Sequence, residues 1–85
     1  MSNNKKHSPT YVFSGKVIEA RHRKGMNQEE AAEALGIARR SFQKYEEGDG
    51  FPQARLLFHM AYTMGISLDE IAREIEEGGD DPQAQ

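Results

Sequence analysis

Residues 27–48 constrain the fold more than any other part of this 85-residue chain, because they encode two short helices joined by one tight turn. Asn27 is a good N-cap and Glu30 follows three residues later, so the two can form a capping box that starts a helix. Gly36 can adopt the left-handed conformation that ends this helix. A second helical pattern begins at Ala38 and ends in a glycine-rich stretch. We therefore predict a helix, a tight turn and a second helix.

Each of these two helices has one apolar face and one polar face. The residues that helical spacing predicts to point inward are Ala31, Ala32, Leu35, Ile37, Phe42 and Tyr45, and Ser41 lies beside them. The outer face of the second helix carries only long hydrogen-bond donors, which are Arg39, Arg40, Gln43 and Lys44.

This pattern resembles the helix-turn-helix of the phage-repressor-like DNA-binding family, the Cro or Xre class. The matching residues are Asn27, Gln28, Ala32, Gly36, Phe42, Tyr45, Glu46 and Gly48. The chain departs from the family pattern at two places, with Ala31 where leucine is usual and Phe42 where isoleucine or valine is usual. We interpret the two departures as an exchange of volume across one core, because either change alone would leave a cavity or overpack. The resemblance covers roughly residues 13–75.

The resemblance implies an all-α fold, a compact five-helix bundle of the lambda-repressor-like DNA-binding type with the helix-turn-helix at helices two and three. We predict three parts: a flexible N-terminal arm over residues 1–12, the helix-turn-helix DNA-binding domain over residues 13–77, and a disordered acidic tail over residues 78–85. The basic arm either lies along DNA or is an idle terminus.

The remaining helices have recognisable start signals. Helix one is expected to have Ser14 as its N-cap, with Phe13 and Ile18 forming a hydrophobic staple. Pro52 is expected to be the first residue of helix four, and Ser67 the N-cap of helix five. The predicted core stripes of helices four and five are Leu57, Met60, Ala61 and Met64, and Leu68, Ile71, Ala72 and Ile75.

The implied function is sequence-specific binding of double-stranded DNA as a transcriptional regulator, with a repressor expected. Helix three would enter the major groove of a palindromic operator, with Arg39, Arg40, Gln43 and Lys44 as base contacts. The residues expected to contact the DNA backbone are Lys16, Asn27, Gln28, Ser41 and Arg55. An arginine that reads a base favours guanine. The alternative is that the base-contact candidates touch only phosphates.

Two further predictions concern how the DNA-binding face is held and paired. The resemblance implies that Arg21 and Glu46 form a pair that orients helix three, although both could instead be separate surface residues. A homodimer is expected to form through apolar surface on helices four and five, where the candidates are Phe58, Tyr62, Ile71 and Ile75. The competing interpretation is that all four complete the core of the monomer.

The formal net charge of −3 is unusual for a DNA-binding protein, but its distribution is uneven. Residues 1–55 carry ten Lys/Arg and seven Asp/Glu, a balance of +3, whereas residues 56–85 carry one arginine and seven acidic residues, a balance of −6. A basic half can face DNA while the acidic half is kept away from phosphates.

Composition excludes several other classes of protein. Cysteine is absent, which excludes disulfides and thiolate metal sites and is compatible with the cytoplasm. No apolar run approaches the ~20 residues that span a bilayer. The three histidines lack metal-ligand spacing, and no nucleophile or phosphate-loop motif is present, so we expect no metal, no cofactor and no enzymatic activity. The alternative function is a protein-interaction module of the same fold, with a toxin or RNA polymerase as partner.

Overall fold

The computed structural model describes residues 8–78, and this part of the chain folds into five α-helices without a strand. The helices are α1 (Pro9–Arg23), α2 (Gln28–Leu35), α3 (Arg39–Glu46), α4 (Ala54–Met64) and α5 (Leu68–Arg73), and α5 continues into a π-helical turn over Glu74–Gly78. The predicted all-α fold of five helices is confirmed. No helix in residues 8–78 is both long and apolar enough to cross a membrane.

Helix α1 begins earlier than predicted. Its N-cap is Ser8, whose hydroxyl accepts a hydrogen bond from the Tyr11 amide at 3.3 Å, and Pro9 is the first helical residue. Proline suits this position because its fixed φ is helical and its missing N–H would have no partner there. Ser14, the predicted N-cap, lies inside the helix and donates its hydroxyl proton to the Tyr11 carbonyl at 2.9 Å. The predicted start at Ser14 is therefore wrong.

This earlier start changes the predicted division of the chain. Residues 9–12 belong to α1 rather than to an arm, and Val12 is part of the buried core. The predicted staple is also wrong, because Phe13 is a fully buried core residue in the second turn of α1 and does not precede the helix. Residues 1–7 of the predicted arm and residues 79–85 of the predicted tail lie outside the described part of the chain.

Helix α2 has the predicted start and end. The Asn27 side chain accepts from the Glu30 amide at 2.7 Å, and the Glu30 carboxylate accepts from the Asn27 amide at 2.9 Å, so the capping box is confirmed. Gly36 follows the last turn with φ +73°, a conformation that strains any residue with a Cβ. This tight turn fixes the direction in which the chain enters α3.

Helix α3 packs between α1 and α2 through its apolar face. Phe42 is fully buried, while Ile37 and Tyr45 are partly buried against the same core. Phe42 and Ala31 are both fully inaccessible, as expected if the large residue fills space that the small one leaves. The Phe13 ring meets Tyr45 edge-on, with 6.3 Å between ring centroids, so α1 also contacts the end of α3.

Helix α4 begins two residues later than predicted. Its N-cap is Gln53, whose carbonyl accepts the first helical hydrogen bond from the Leu57 amide at 2.9 Å. Pro52 is buried in the connection before it, where the fixed φ of proline suits extended backbone as well as a helix. Met60 and Met64 are fully buried, and Leu57 packs partly against them.

Helix α5 is short and is capped as predicted by Ser67, whose hydroxyl accepts from the Glu70 amide at 3.1 Å. Ile71 lies in the core, and Leu68 and Ile75 pack against the core at its edge. Ala72 is exposed, so its predicted place on the core stripe is wrong. Because Ile71 is the buried centre of the helix, Ala72, about 100° further round, faces outward.

Candidate nucleic-acid interface

The outward face of α3 is cationic. Arg39, Arg40 and Lys44 are exposed, and within residues 8–78 none of them forms an ion pair. Gln43 and Ser41 on the same helix are half-buried. Phe42 anchors the opposite side of the helix in the core, so this orientation cannot rotate without exposing a buried aromatic ring.

A buried ion pair holds the end of α3 to the end of α1. The Glu46 carboxylate accepts from Arg21 Nε at 2.5 Å and from Arg21 Nη2 at 3.2 Å, and the third nitrogen, Nη1, donates to the Met26 carbonyl at 3.1 Å. The Arg21 side chain is only 14% exposed and the Glu46 side chain only 6%. The predicted contact is therefore present, and its two-pronged geometry fixes direction as well as distance.

Two glutamines extend this ion pair along the surface between α2 and α3. Gln28, the first residue of α2, donates from Nε2 to Glu46 Oε1 at 2.8 Å. Gln43 in α3 donates from Nε2 to Gln28 Oε1 at 3.1 Å. Sequence reasoning assigned both glutamines to DNA but missed their contact with each other and the contact of Gln28 with Glu46. Their spacing gives no periodic signal, because the three residues meet only once α2 has folded against α3.

The start of α2 and the start of α3 border one open groove of about 350 Å³, which is lined by Arg21, Asn27, Gln28, Glu29 and Arg39. The first amides of a helix lack intrahelical acceptors and carry the positive end of the helix dipole. Anions bind readily at such helix starts. The groove therefore combines backbone amides with the guanidinium of Arg39, although Glu29 opposes an anion at one edge.

Comparison with known proteins identifies this arrangement. The profile of a family described as "Helix-turn-helix" matches residues 17–82, most of the chain. The chain belongs to the Cro/Xre-like helix-turn-helix family. The predicted resemblance is thus confirmed, and α2, the turn at Gly36 and α3 form the motif.

Curated relatives of this helix-turn-helix protein include phage regulators. The cryptic phage CTXphi transcriptional repressor RstR of Vibrio cholerae is 27% identical over 70 residues, which cover 82% of this chain and 63% of RstR. The SPbeta prophage-derived uncharacterized HTH-type transcriptional regulator YonR of Bacillus subtilis (strain 168) is 33% identical over 58 residues, which cover 68% of this chain and 54% of YonR. The chain thus spans between about half and two-thirds of the length of these relatives. No solved structure matches it. Together, the family and its relatives support a DNA-binding transcriptional regulator.

One predicted backbone contact of the helix-turn-helix protein is not placed for that role. Lys16 on α1 donates to Glu70 at 3.3 Å and lies 2.7 Å from Glu74, so two carboxylates from the C-terminal part of the chain surround its ammonium group. The hydrogen bond to Glu74 raises the pKa of Lys16 above its ordinary value of 10.5, although partial burial opposes that rise. Because its charge is already neutralised, Lys16 does not belong to the cationic face.

Arg55 is exposed in the first turn of α4, apart from the groove between α2 and α3. It borders a second open groove of about 530 Å³ that is also lined by Tyr45, Phe51, Gln53, Leu56 and His59. Tyr45 belongs to the motif helix α3, so Arg55 lies beside the end of α3 that is opposite to Arg39.

Nowhere in residues 8–78 do three potential metal-ligating His, Asp or Glu side chains cluster.

The four predicted dimer residues divide into two groups. Phe58 and Tyr62 are 60% and 89% exposed and are one turn apart on the outer face of α4. Ile71 is only 4% exposed and belongs to the core of the monomer, so its assignment to an interface is wrong. Ile75 packs partly against the same core. Periodicity could not separate these cases, because a core stripe and an interface stripe have the same helical spacing.

Proposed function

We propose that this protein is a transcriptional repressor that binds double-stranded DNA with α3 in the major groove. The observation that carries the proposal is the cationic face of α3, where Arg39, Arg40 and Lys44 are exposed and form no ion pair within residues 8–78. Three aligned charges without local partners repel one another, and binding to phosphates and base acceptors would relieve that repulsion. The repressor role follows the name of the relative RstR.

In this proposal the side chains of the α3 face have different tasks. Arg39, Arg40, Gln43 and Lys44 contact bases, and an arginine fork matches the two acceptors on the major-groove edge of guanine. Asn27, Gln28, Ser41 and Arg55 contact the phosphate backbone on either side of the groove. Gln28 suits this role because only one of its two amide protons is used by Glu46, so the second can reach a phosphate oxygen.

We further propose a homodimer that binds a palindromic operator. One α3 contacts few bases, and two copies on half-sites about 10 base pairs apart would double the number of contacts. Phe58 and Tyr62 are the proposed contact, because a pair of exposed aromatic side chains on one helix face is costly in water. Sedimentation at micromolar concentration should find a dimer that Phe58→Glu with Tyr62→Glu dissociates, whereas Ala72→Glu at another exposed site should not. A wild type that stays monomeric on its DNA would contradict this.

The proposed function is tested by a mobility-shift titration with DNA from the region that flanks the protein's own gene. If a dimer neutralises ~6–10 phosphates, its affinity should fall by ~10³–10⁵ between ~50 and ~200 mM salt, because each neutralised phosphate releases counterions. Binding that does not change with salt would contradict a backbone-anchored complex. The proposal includes no catalytic step and no cofactor. If the protein is a bacterial regulator, the proposal places its action in the cytoplasm.

The second candidate is a protein-interaction module of the same fold. Exposed Phe58 and Tyr62 favour it, because an aromatic surface of this kind also suits a partner protein such as a toxin or RNA polymerase. The same titration separates the two candidates. A protein that binds neither the flanking DNA nor random DNA at ~50 mM salt would support the interaction module, whereas a salt-sensitive shift would support the repressor.

A further inference from the structure

We propose that the hydrogen-bonded series Arg21–Glu46–Gln28–Gln43 fixes the direction of the Gln43 amide, so that Gln43 selects adenine at one position of each half-site. The inference rests on the proposed DNA binding and adds to it a source of specificity. The series starts at a buried ion pair and ends at a half-buried side chain on the outward part of α3. Within the series, Glu46 fixes which end of Gln28 donates, and Gln28 fixes which end of Gln43 donates.

The first step is set by Glu46. A carboxylate that pairs with a guanidinium can only accept hydrogen bonds, so each neighbour must approach it with an N–H group. Arg21 supplies two such groups, at 2.5 Å to Oε2 and at 3.2 Å to Oε1. A further donor can reach Oε1, and this place is taken by Gln28 at 2.8 Å. An amide turned the other way would place an oxygen against an oxygen.

The second step passes this direction on to Gln43. Because the amino group of Gln28 must face Glu46, its carbonyl oxygen is the end that faces α3. That oxygen accepts from Gln43 Nε2 at 3.1 Å, so Gln43 is also held with its amino group toward α2. Reversing the Gln43 amide would put two carbonyl oxygens together in a part-buried place, where an unpaired polar atom is costly.

The remaining capacity of Gln43 determines which base it favours. After one N–H group has been given to Gln28, Gln43 keeps its carbonyl oxygen and one N–H group. This combination is complementary to adenine, which offers the N6 amino group as a donor and N7 as an acceptor. Cytosine offers only its amino group. Guanine and thymine offer acceptors that the remaining N–H group can meet, but no donor for the Gln43 oxygen, so these bases are disfavoured.

The test is selection of bound sequences from a pool of random double-stranded DNA by the wild type and three variants. Gln43→Ala should reduce the adenine preference at one position of each half-site by ~5- to 150-fold, the worth of one good base contact. Gln28→Met, which preserves length but removes the amide, should reduce the preference at that same position by ~2- to 10-fold, the worth of one hydrogen bond. Gln53→Met is the matched control on α4 and should leave every base preference unchanged.

The possible failures are distinguishable. A wild type that enriches no sequence overturns the proposed DNA readout, and this inference with it. Enrichment that Gln43→Ala leaves unchanged, or guanine or thymine at the Gln43-dependent position, overturns the inference alone. A change with Gln43→Ala but none with Gln28→Met overturns the orienting series.

A second measurement uses the free wild-type protein alone, so it needs no DNA and does not depend on whether a variant folds. In the free wild type, nuclear magnetic resonance should find the two side-chain amide protons of Gln43 further apart in chemical shift than those of an unstructured glutamine, because one donates to Gln28 and the other faces solvent. A separation no larger than that of an unstructured glutamine would overturn the proposal.

Discussion

Helix α1 is held by two ion-pair sites that differ in burial and in consequence. Near its C-terminus, Arg21 meets Glu46 of α3, with both side chains at most 14% exposed. Near its middle, Lys16 meets Glu70 and Glu74, whose side chains are 55% and 51% exposed. Burial and a two-pronged arginine fix an orientation, whereas a lysine between half-exposed carboxylates mainly balances charge.

The difference follows the proposed function of the two regions. The Arg21–Glu46 site holds the helix that carries the cationic face and extends to Gln28 and Gln43. The Lys16 site holds α1 against the acidic C-terminal part of the chain, which we expect to stay away from phosphates. One site therefore orients α3, the helix that we propose to bind DNA, and the other neutralises the charge of Lys16.

The largest expected effect is on stability at the buried site. Arg21→Ala and Glu46→Ala should each lower the free energy of unfolding by ~3–5 kcal/mol, because each leaves one charge buried without its partner. The double variant should lose much less than the sum, which urea denaturation can measure as a coupling energy. Arg23→Ala, an exposed arginine two residues away on α1, is the matched control and should cost little. Additive losses in the cycle would show that no orienting pair exists.

The effect at the second site should be smaller. Lys16→Met keeps the aliphatic part of the side chain and should lower the free energy of unfolding by no more than ~1 kcal/mol, because both carboxylates are half exposed and screened by solvent. The difference between wild type and variant should shrink further as salt is added. A loss as large as that of Arg21→Ala would erase the distinction between the two sites.

The smallest expected effect is a change with pH at the Lys16 site. The folded protein raises the pKa of Lys16, so protonated Lys16 stabilises the fold fully below its unfolded pKa of about 10.5. This contribution is lost as the pH rises through the higher pKa of the folded state. Urea denaturation should therefore find that wild type and Lys16→Met converge only in that alkaline range. Convergence near neutral pH would mean that another group is responsible.

Local signals predicted the helix-turn-helix well. The capping box at Asn27 and Glu30 and the left-handed Gly36 depend on residues that are close in sequence, so the physical rule and the observation coincide. The start of α1 was mistaken because Ser8 and Ser14 are both capable N-caps. The proline after Ser8 was the signal that distinguished them.

Contacts between distant residues were predicted less well. Arg21 and Glu46 were matched through the family resemblance, but the contacts of Lys16 with Glu70 and of Gln28 with Gln43 left no trace in local periodicity. Burial of Ile71 and exposure of Tyr62 also depend on how α4 and α5 pack. Sequence reasoning therefore identified the helix-turn-helix but could not determine which polar residues around it were already paired.

The most direct test of the central claim compares Arg40→Ala with Arg73→Ala. Both remove one exposed arginine, but Arg40 lies on the cationic face of α3 and Arg73 pairs with Asp69 on α5. The affinity of each variant should be measured for the DNA sequence selected by the wild type and for random DNA. If α3 reads bases, Arg40→Ala should cost ~1–3 kcal/mol on the selected sequence and relax one base position per half-site, while Arg73→Ala changes little. Equal weakening of Arg40→Ala on both DNAs would contradict base reading by α3.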